Sequence, residues 1–153
     1  MKRLKAATVT VVLVLLVGCL VGGVLSTQFS VLGVKGHSME PGIKSGALVI
    51  IKKSMKCKRG DIVVFKKKKQ KFLKRVVAVE GDEVEARHGY LEVNGKRVKE
   101  DYVTGITEDV YCTVPRGKVF VLGDNREHSI DSRHFGCIKT NSLMGRVVFV
   151  RDN

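Results

Sequence analysis

The chain has 153 residues, and 28 lysines and arginines against 15 aspartates and glutamates give it a formal net charge of +13. Such a balance suits an anionic membrane surface or a nucleic acid. Aromatic residues make up only 6%, and no helical reading head or aromatic-rich strand motif accompanies the charge, which argues against nucleic acid.

In chain order, Lys2, Arg3 and Lys5 precede an uncharged run that extends to Val34. Residues 6–25 are rich in Val and Leu, and at about 1.5 Å of rise per residue a helix of that length crosses the roughly 30 Å hydrocarbon core of a bilayer. Gly18, Gly22 and Gly23 are tolerated there because lipid offers the backbone no alternative partner. The basic start outweighs Lys35 and Lys44 on the other side, so residues 1–5 are expected in the cytoplasm and residues 26–153 outside it. A competing reading takes 16–19 as a lipoprotein processing box, but the apolar run continues through Leu20 to Leu25 as a retained anchor would.

Directly after this run comes Gly36-His37-Ser38-Met39-Glu40-Pro41. Beyond it the apolar stretches are short and rich in β-branched residues, at 47–51, 62–65, 72–79, 119–122 and 147–150, and read as strands. The segments 90–93 and 96–99 flank Asn94-Gly95, a dipeptide that accepts the positive φ angles of a tight hairpin turn. No stretch outside the apolar run keeps a helical period over eleven residues. The expected fold is therefore one mostly β, antiparallel domain behind a single transmembrane helix. Basic residues crowd into 52–59 and 66–71, where they suit solvated loops or strand edges.

Cys19 falls within the apolar run, while Cys57, Cys112 and Cys137 come after it without paired metal-ligand spacing. No metal or other cofactor is expected. The last three allow at most one internal disulfide, and their spacing does not decide which.

A serine nucleophile needs a base, and the chain offers four histidines, His37, His88, His128 and His134, and one lysine in unusual company. On a strand Phe72, Lys74, Val76 and Ala78 share a face, so Lys74 loses water if that face packs. Desolvation disfavours the ammonium form, and a lysine brought to a pKa of about 8 is roughly 10% neutral at pH 7. Only the neutral amine accepts a proton from a hydroxyl. Ser38 alone reads as a turn residue, Lys74 alone as a snorkelling side chain, and 123–133 alone as a polar loop. Their joint order is more specific.

That order resembles the type I signal peptidases, membrane-anchored Ser-Lys endopeptidases that release exported proteins from their signal peptides. The boxes are Gly36 to Pro41; Gly60-Asp61-Ile62-Val63-Val64-Phe65; Lys74-Arg75-Val76-Val77 with Glu80-Gly81-Asp82; Val114-Pro115 with Gly117; and Gly123 to Arg133. The resemblance implies Ser38 as nucleophile, Lys74 as general base, Ser129 as the group that orients the amine, Asp131 as support, and Arg75 with Asp124 as a structural ion pair. It also implies signal peptides with small residues before the cut as substrates, membrane lipid as a partner, and transient contact with the secretion machinery. An extended peptide laid beside the strand leading into Ser38 would present alternate side chains to pockets, and Val34, Met39, Ile43 and Phe72 are the expected pocket wall.

Two positions depart from the family pattern. Gly36 stands where some members carry a serine whose hydroxyl assists the oxyanion, and Gly42 where threonine is frequent. Three other readings use the same residues. One is a Ser-Lys autoprotease of the repressor-cleaving type, which would need a cleavable linker or a DNA-binding domain. Another pairs Ser38 with His128 or His134 and Asp131. The third is a membrane-anchored basic β domain that binds anionic lipid or cell-wall polymer.

Overall fold

The computed structural model describes residues 13–15, 17–19, 23 and 28–152. Contacts divide the chain into a unit of residues 1–30 and a unit of residues 31–153. In the first, 13–15, 17–19, 23 and 28 are helical, and Leu13, Val14, Leu15 and Val17 are exposed. Much of the expected span 6–25 lies outside the described residues, and no helix among the described residues is long and apolar enough to cross a membrane.

From residue 29 onward the chain is built mainly from antiparallel strands, the first of which begins in the last two residues of the first unit. In chain order they are β1 (Phe29–Gly33), β2 (Leu48–Lys52), β3 (Ile62–Lys67), β4 (Gln70–Val79), β5 (Glu83–Arg87), β6 (Tyr90–Val93), β7 (Lys96–Arg97), β8 (Val110–Thr113), β9 (Lys118–Leu122), β10 (Ile138–Lys139) and β11 (Leu143–Arg151). One short helix, α1 (Ser132–Phe135), comes after β9. A seven-stranded sheet runs β1-β2-β11-β3-β4-β9-β10, and a four-stranded sheet runs β7-β6-β5-β8.

Alternation of side chains explains why β3 lies inside the larger sheet. Val63, Val64 and Phe65 are all buried, Val63 and Phe65 in a cluster with Val76, Val121 and Leu143, and Val64 in another with Met39, Ile43, Val49 and Ile51. A strand covered on both faces reads as a continuous apolar run. The hairpin at 94–95 forms with both central residues at positive φ, Asn94 at 54° and Gly95 at 69°, the backbone a primed two-residue turn requires. It joins β6 to β7 with Val93 opposite Lys96.

Strand β4 departs from strict alternation. It pairs with β3 through Val63 opposite Lys74 and Ile62 opposite Arg75, but its pairing with β9 shifts register between Val76 and Ala78. Phe72 and Val76 therefore pack in one cluster, while Val77 and Ala78 pack in another with Val84, Leu91 and Phe120. The expected common face ends at Val76, because the extra residue of a bulge re-aims the side chains after it. That shift lets one strand serve the cores of both sheets.

Candidate active site

Ser38 sits in the segment after β1, and that segment is closed at its neck. Val34 N–H donates to the Ala47 carbonyl at 2.8 Å, and Gly46 N–H to the Val34 carbonyl at 2.9 Å. Inside the loop Met39 and Ile43 are buried at 1% and 2% exposure, and Ile43 N–H donates to the Met39 carbonyl at 2.9 Å. The two apolar side chains hold the turn down while Ser38, between an exposed His37 and a buried Met39, keeps partial access. Gly36 has φ +93°, a conformation open to glycine and strained for residues with a side chain. Its N–H donates to Ser45 Oγ at 3.2 Å. Among the described residues no acceptor takes the Ser38 N–H, which leaves that donor available to a developing oxyanion.

Lys74, on β4, is 3% exposed. Its Nζ donates to Ser38 Oγ at 2.6 Å and to the Leu73 carbonyl at 3.0 Å. Burial lowers its pKa from 10.5 to about 8, against the opposing pull of the Asp131 and Asp124 carboxylates and with help from Arg133. When the amine is neutral the polarity of the short bond reverses. Leu73 still takes one N–H, and the lone pair faces the serine hydroxyl.

The loop after β9 supplies the surroundings. Asp131 is fully buried. Its carboxylate accepts from Ser129 Oγ at 2.7 Å, Gly123 N–H at 2.9 Å, and the Arg133 guanidinium at 2.9 and 3.0 Å. It also caps α1 by accepting from Arg133 N–H at 3.2 Å. Burial pushes this carboxyl up, but Arg133, Gly123 and Ser129 together outweigh burial and hold it below the usual range. Ser129 is thereby engaged with Asp131, and the hydrogen bonds of the Lys74 amine go to Ser38 and Leu73.

Arg75, next to Lys74 on β4, donates from both prongs to Asp124 at 2.8 and 2.6 Å and to the Gly60 carbonyl at 3.2 Å, with its guanidinium 4.0 Å from the centre of the Tyr102 ring. Asn125 N–H donates to the Ser38 carbonyl at 3.1 Å, so the same loop grips the serine turn by its backbone. None of the histidines bonds Ser38. His37 bonds Glu40, His128 bonds Asn125, and His88 and His134 are exposed.

Val34 and Phe72 line a groove of about 270 Å3 together with Leu32, Val49, Val64 and Leu73, and Lys35 and Lys71 lie at its margin. Residues of both β1 and β4 line this groove, although the two strands are separated in the sheet order. Phe72 stacks on Phe65 with ring centres 5.5 Å apart and meets Phe135 edge-on at 5.7 Å. Met39 and Ile43 lie in the core with Ala47 and Val49 and are not among the residues lining the groove.

The sequence reading missed several residues around the site. Gly123 is one, since a Cβ there would stand 2.6 Å from the Ser38 carbonyl and closer still to Ser129 Oγ. Arg126 is another, buried with its guanidinium bonded to Glu100 at 2.6 and 3.1 Å, to Thr107, and to the Gly123 carbonyl at 3.0 Å. Gly123, Arg126 and Arg133 at least lie within a recognisable box. Nothing local marks Glu100 or Thr107, whose partner is 26 and 19 residues away.

A serine hydroxyl bonded to a buried lysine amine on an antiparallel β fold is the arrangement that a serine peptidase with a lysine base would need. The model of the signal peptidase family, peptidase S26, matches residues 5–151. A signal peptidase I of Bacillus caldolyticus is 38% identical over 86% of this chain and 84% of its own length. A signal peptidase IB of Staphylococcus aureus strain Mu50 is 34% identical over 97% of this chain and 89% of its own. Among solved structures, a signal peptidase I from Enterococcus faecalis V583 matches with a TM-score of 0.55 and 36% identity, covering 61% of this chain and 97% of that one. The chain belongs to the signal peptidase family, peptidase S26.

Proposed function

We propose that this peptidase cuts signal peptides from exported preproteins, with Ser38 as nucleophile and Lys74 as general base. The observation that carries the reading is the 2.6 Å contact between Lys74 Nζ and Ser38 Oγ, made by an amine that is 3% exposed. Ser38 Oγ attacks the scissile carbonyl as its proton passes to Lys74. The oxyanion is met by the Ser38 N–H, and the lysine then delivers the proton to the departing amine. Water, deprotonated by the same amine, hydrolyses the ester and frees Ser38. Asp131 holds Ser129 and the Gly123 turn beside the pair, and the Arg75–Asp124 ion pair fixes the loop behind it.

The substrate enters extended along the open edge of β1, an edge strand that offers unpaired backbone groups. Small residues before the cut fit a groove narrowed by Val34 and Phe72, with Met39 and Ile43 supporting its floor from the core.

Residues 6–25 anchor the enzyme in the membrane, with residues 1–5 in the cytoplasm and the β domain outside. The exposed apolar side chains at 13–15 and 17 support an anchor, as does the basic cluster before it. Val31, Leu48, Val148 and Phe149 are exposed on β1, β2 and β11, strands adjacent in the sheet, and suit contact with lipid. Transient contact with the secretion machinery would deliver the preprotein. The test is cleavage of a preprotein by the purified chain in detergent. Ser38→Ala and Lys74→Ala should each abolish it without impairing membrane insertion, and substantial processing by either variant rejects the dyad.

A further inference from the structure

Cys112 lies on β8, an edge strand of the four-stranded sheet, and Cys137 immediately precedes β10, an edge strand of the seven-stranded sheet. Their sulfurs are 3.4 Å apart. Both are half-buried against one cluster that includes Val77, Val84 and Phe120. Cys57 packs against a different cluster, and Cys19 belongs to the other unit of the chain. We propose that Cys112 and Cys137 form a disulfide that staples the edges of the two sheets together once the domain meets an oxidising environment.

The chemistry is thiol–disulfide exchange. One cysteine thiolate attacks a small-molecule disulfide or the disulfide of an oxidoreductase, expelling one thiol and leaving a mixed disulfide. The second cysteine, after losing its proton, displaces the other half. The protein pair loses two electrons and two protons, and the oxidant is reduced to two thiols. Closing the bond asks the sulfurs to approach by roughly an ångström and a half. Burial, then the neighbouring Cys112, push the Cys137 thiol up to about 12. Thiolate is the attacking species, so mild alkali speeds the exchange.

The position gives the bond a function. Between the two cysteines the chain carries β9 and the whole 123–133 loop, with Asp124, Ser129 and Asp131. Cross-linking this stretch removes freedom from the unfolded chain while leaving the folded site undisturbed. The bond thus protects the catalytic loop from heat without entering the reaction. It rests on the proposed topology only for where oxidation occurs in the cell.

The full chain, purified in detergent under reductant, would be treated with oxidised glutathione at about pH 8.5 to raise the thiolate fraction, then alkylated, digested and analysed by mass spectrometry. The expected product is one linked peptide pair holding Cys112 and Cys137. Its formation should raise the midpoint of thermal unfolding by roughly 10 °C. Cys112→Ser and Cys137→Ser should each remove that shift, and Cys57→Ser should retain it. If a serine variant fails to fold, the oxidised and reduced native chains still give the comparison. A linkage through Cys57, a linkage between two copies, no linkage, or an unmoved midpoint would each overturn the proposal. Preprotein cleavage at low temperature should be equal in the two redox states. Absence of cleavage in both would count against the active-site reading and leave the disulfide standing.

Discussion

Arg75 and Asp124 meet in a two-pronged ion pair, at 2.8 and 2.6 Å, directly behind the residues that hold Ser38. Asp124 is 1% exposed, so its charge has little water to fall back on if the guanidinium is lost. Arg75→Ala should therefore destabilise the domain by about 3 kcal/mol, the scale of a broken buried pair. Because Asn125 grips the Ser38 carbonyl from the same loop, cleavage should fall as well. Denaturant unfolding alongside a cleavage assay measures both, and a stability change within the range of ordinary surface substitutions would reject the role.

Gly123 tests how tightly that loop packs. A Cβ at this position would press on the Ser38 carbonyl at 2.6 Å and on the Ser129 side chain. Neither neighbour has room to retreat, since one is backbone and the other is tied to Asp131. Gly123→Ala should lower kcat/KM by about a hundredfold, as expected when reacting groups are displaced by an ångström. Activity within a few-fold of the native enzyme would show that the loop yields.

Much of this arrangement was legible in the sequence because it rests on strong local signals. Continuous β-branched runs marked β3 and β9, and Asn94-Gly95 marked its hairpin. Ser38 and Lys74, read as partners from their order and surroundings, lie within hydrogen-bond distance. The parts that were not legible depend on distant pairing. Strand β5 offers only Val84 and Ala86 between charged residues, and β8 has a mixed Val-Tyr-Cys-Thr sequence. Each is a strand because its neighbour supplies the ladder. The bulge at Val77 arises from pairing with β9, and the Arg126–Glu100 bond joins two stretches that carry no common motif.

The wall of the groove separates from its support by exposure. Phe72→Ala should widen the groove and relax selection for small residues at the cleavage position in a peptide panel, because Phe72 lines that space beside Val34. Unchanged selectivity would discard Phe72 as a determinant. Ile43→Ala, 2% exposed in the core, should instead cost about 2–4 kcal/mol of stability.

Burying Lys74 also carries a stability cost with a defined pH dependence. In the unfolded chain the amine holds its proton up to about pH 10.5, and in the fold only up to about 8. The unfolded state therefore binds more protons between those values, and stability rises with pH across that window. Below pH 8 the full penalty applies, about 3 kcal/mol for a shift of this size. Lys74→Met should accordingly be inactive but more stable than the native enzyme at pH 7, by about 1–3 kcal/mol after the lost hydrogen bonds are counted. The gain should fade by pH 10.5. A variant less stable at every pH would mean that the amine is not held against its preference for water.

If the buried Lys74 amine, once neutral, activates Ser38, its ionisation governs the pH dependence of kcat/KM on a signal-peptide substrate. That profile reports ionisations of the free enzyme. It should rise tenfold per pH unit below the lysine pKa and level off above pH 8, where burial has set it. A profile flat from pH 6 to 10 would contradict the account.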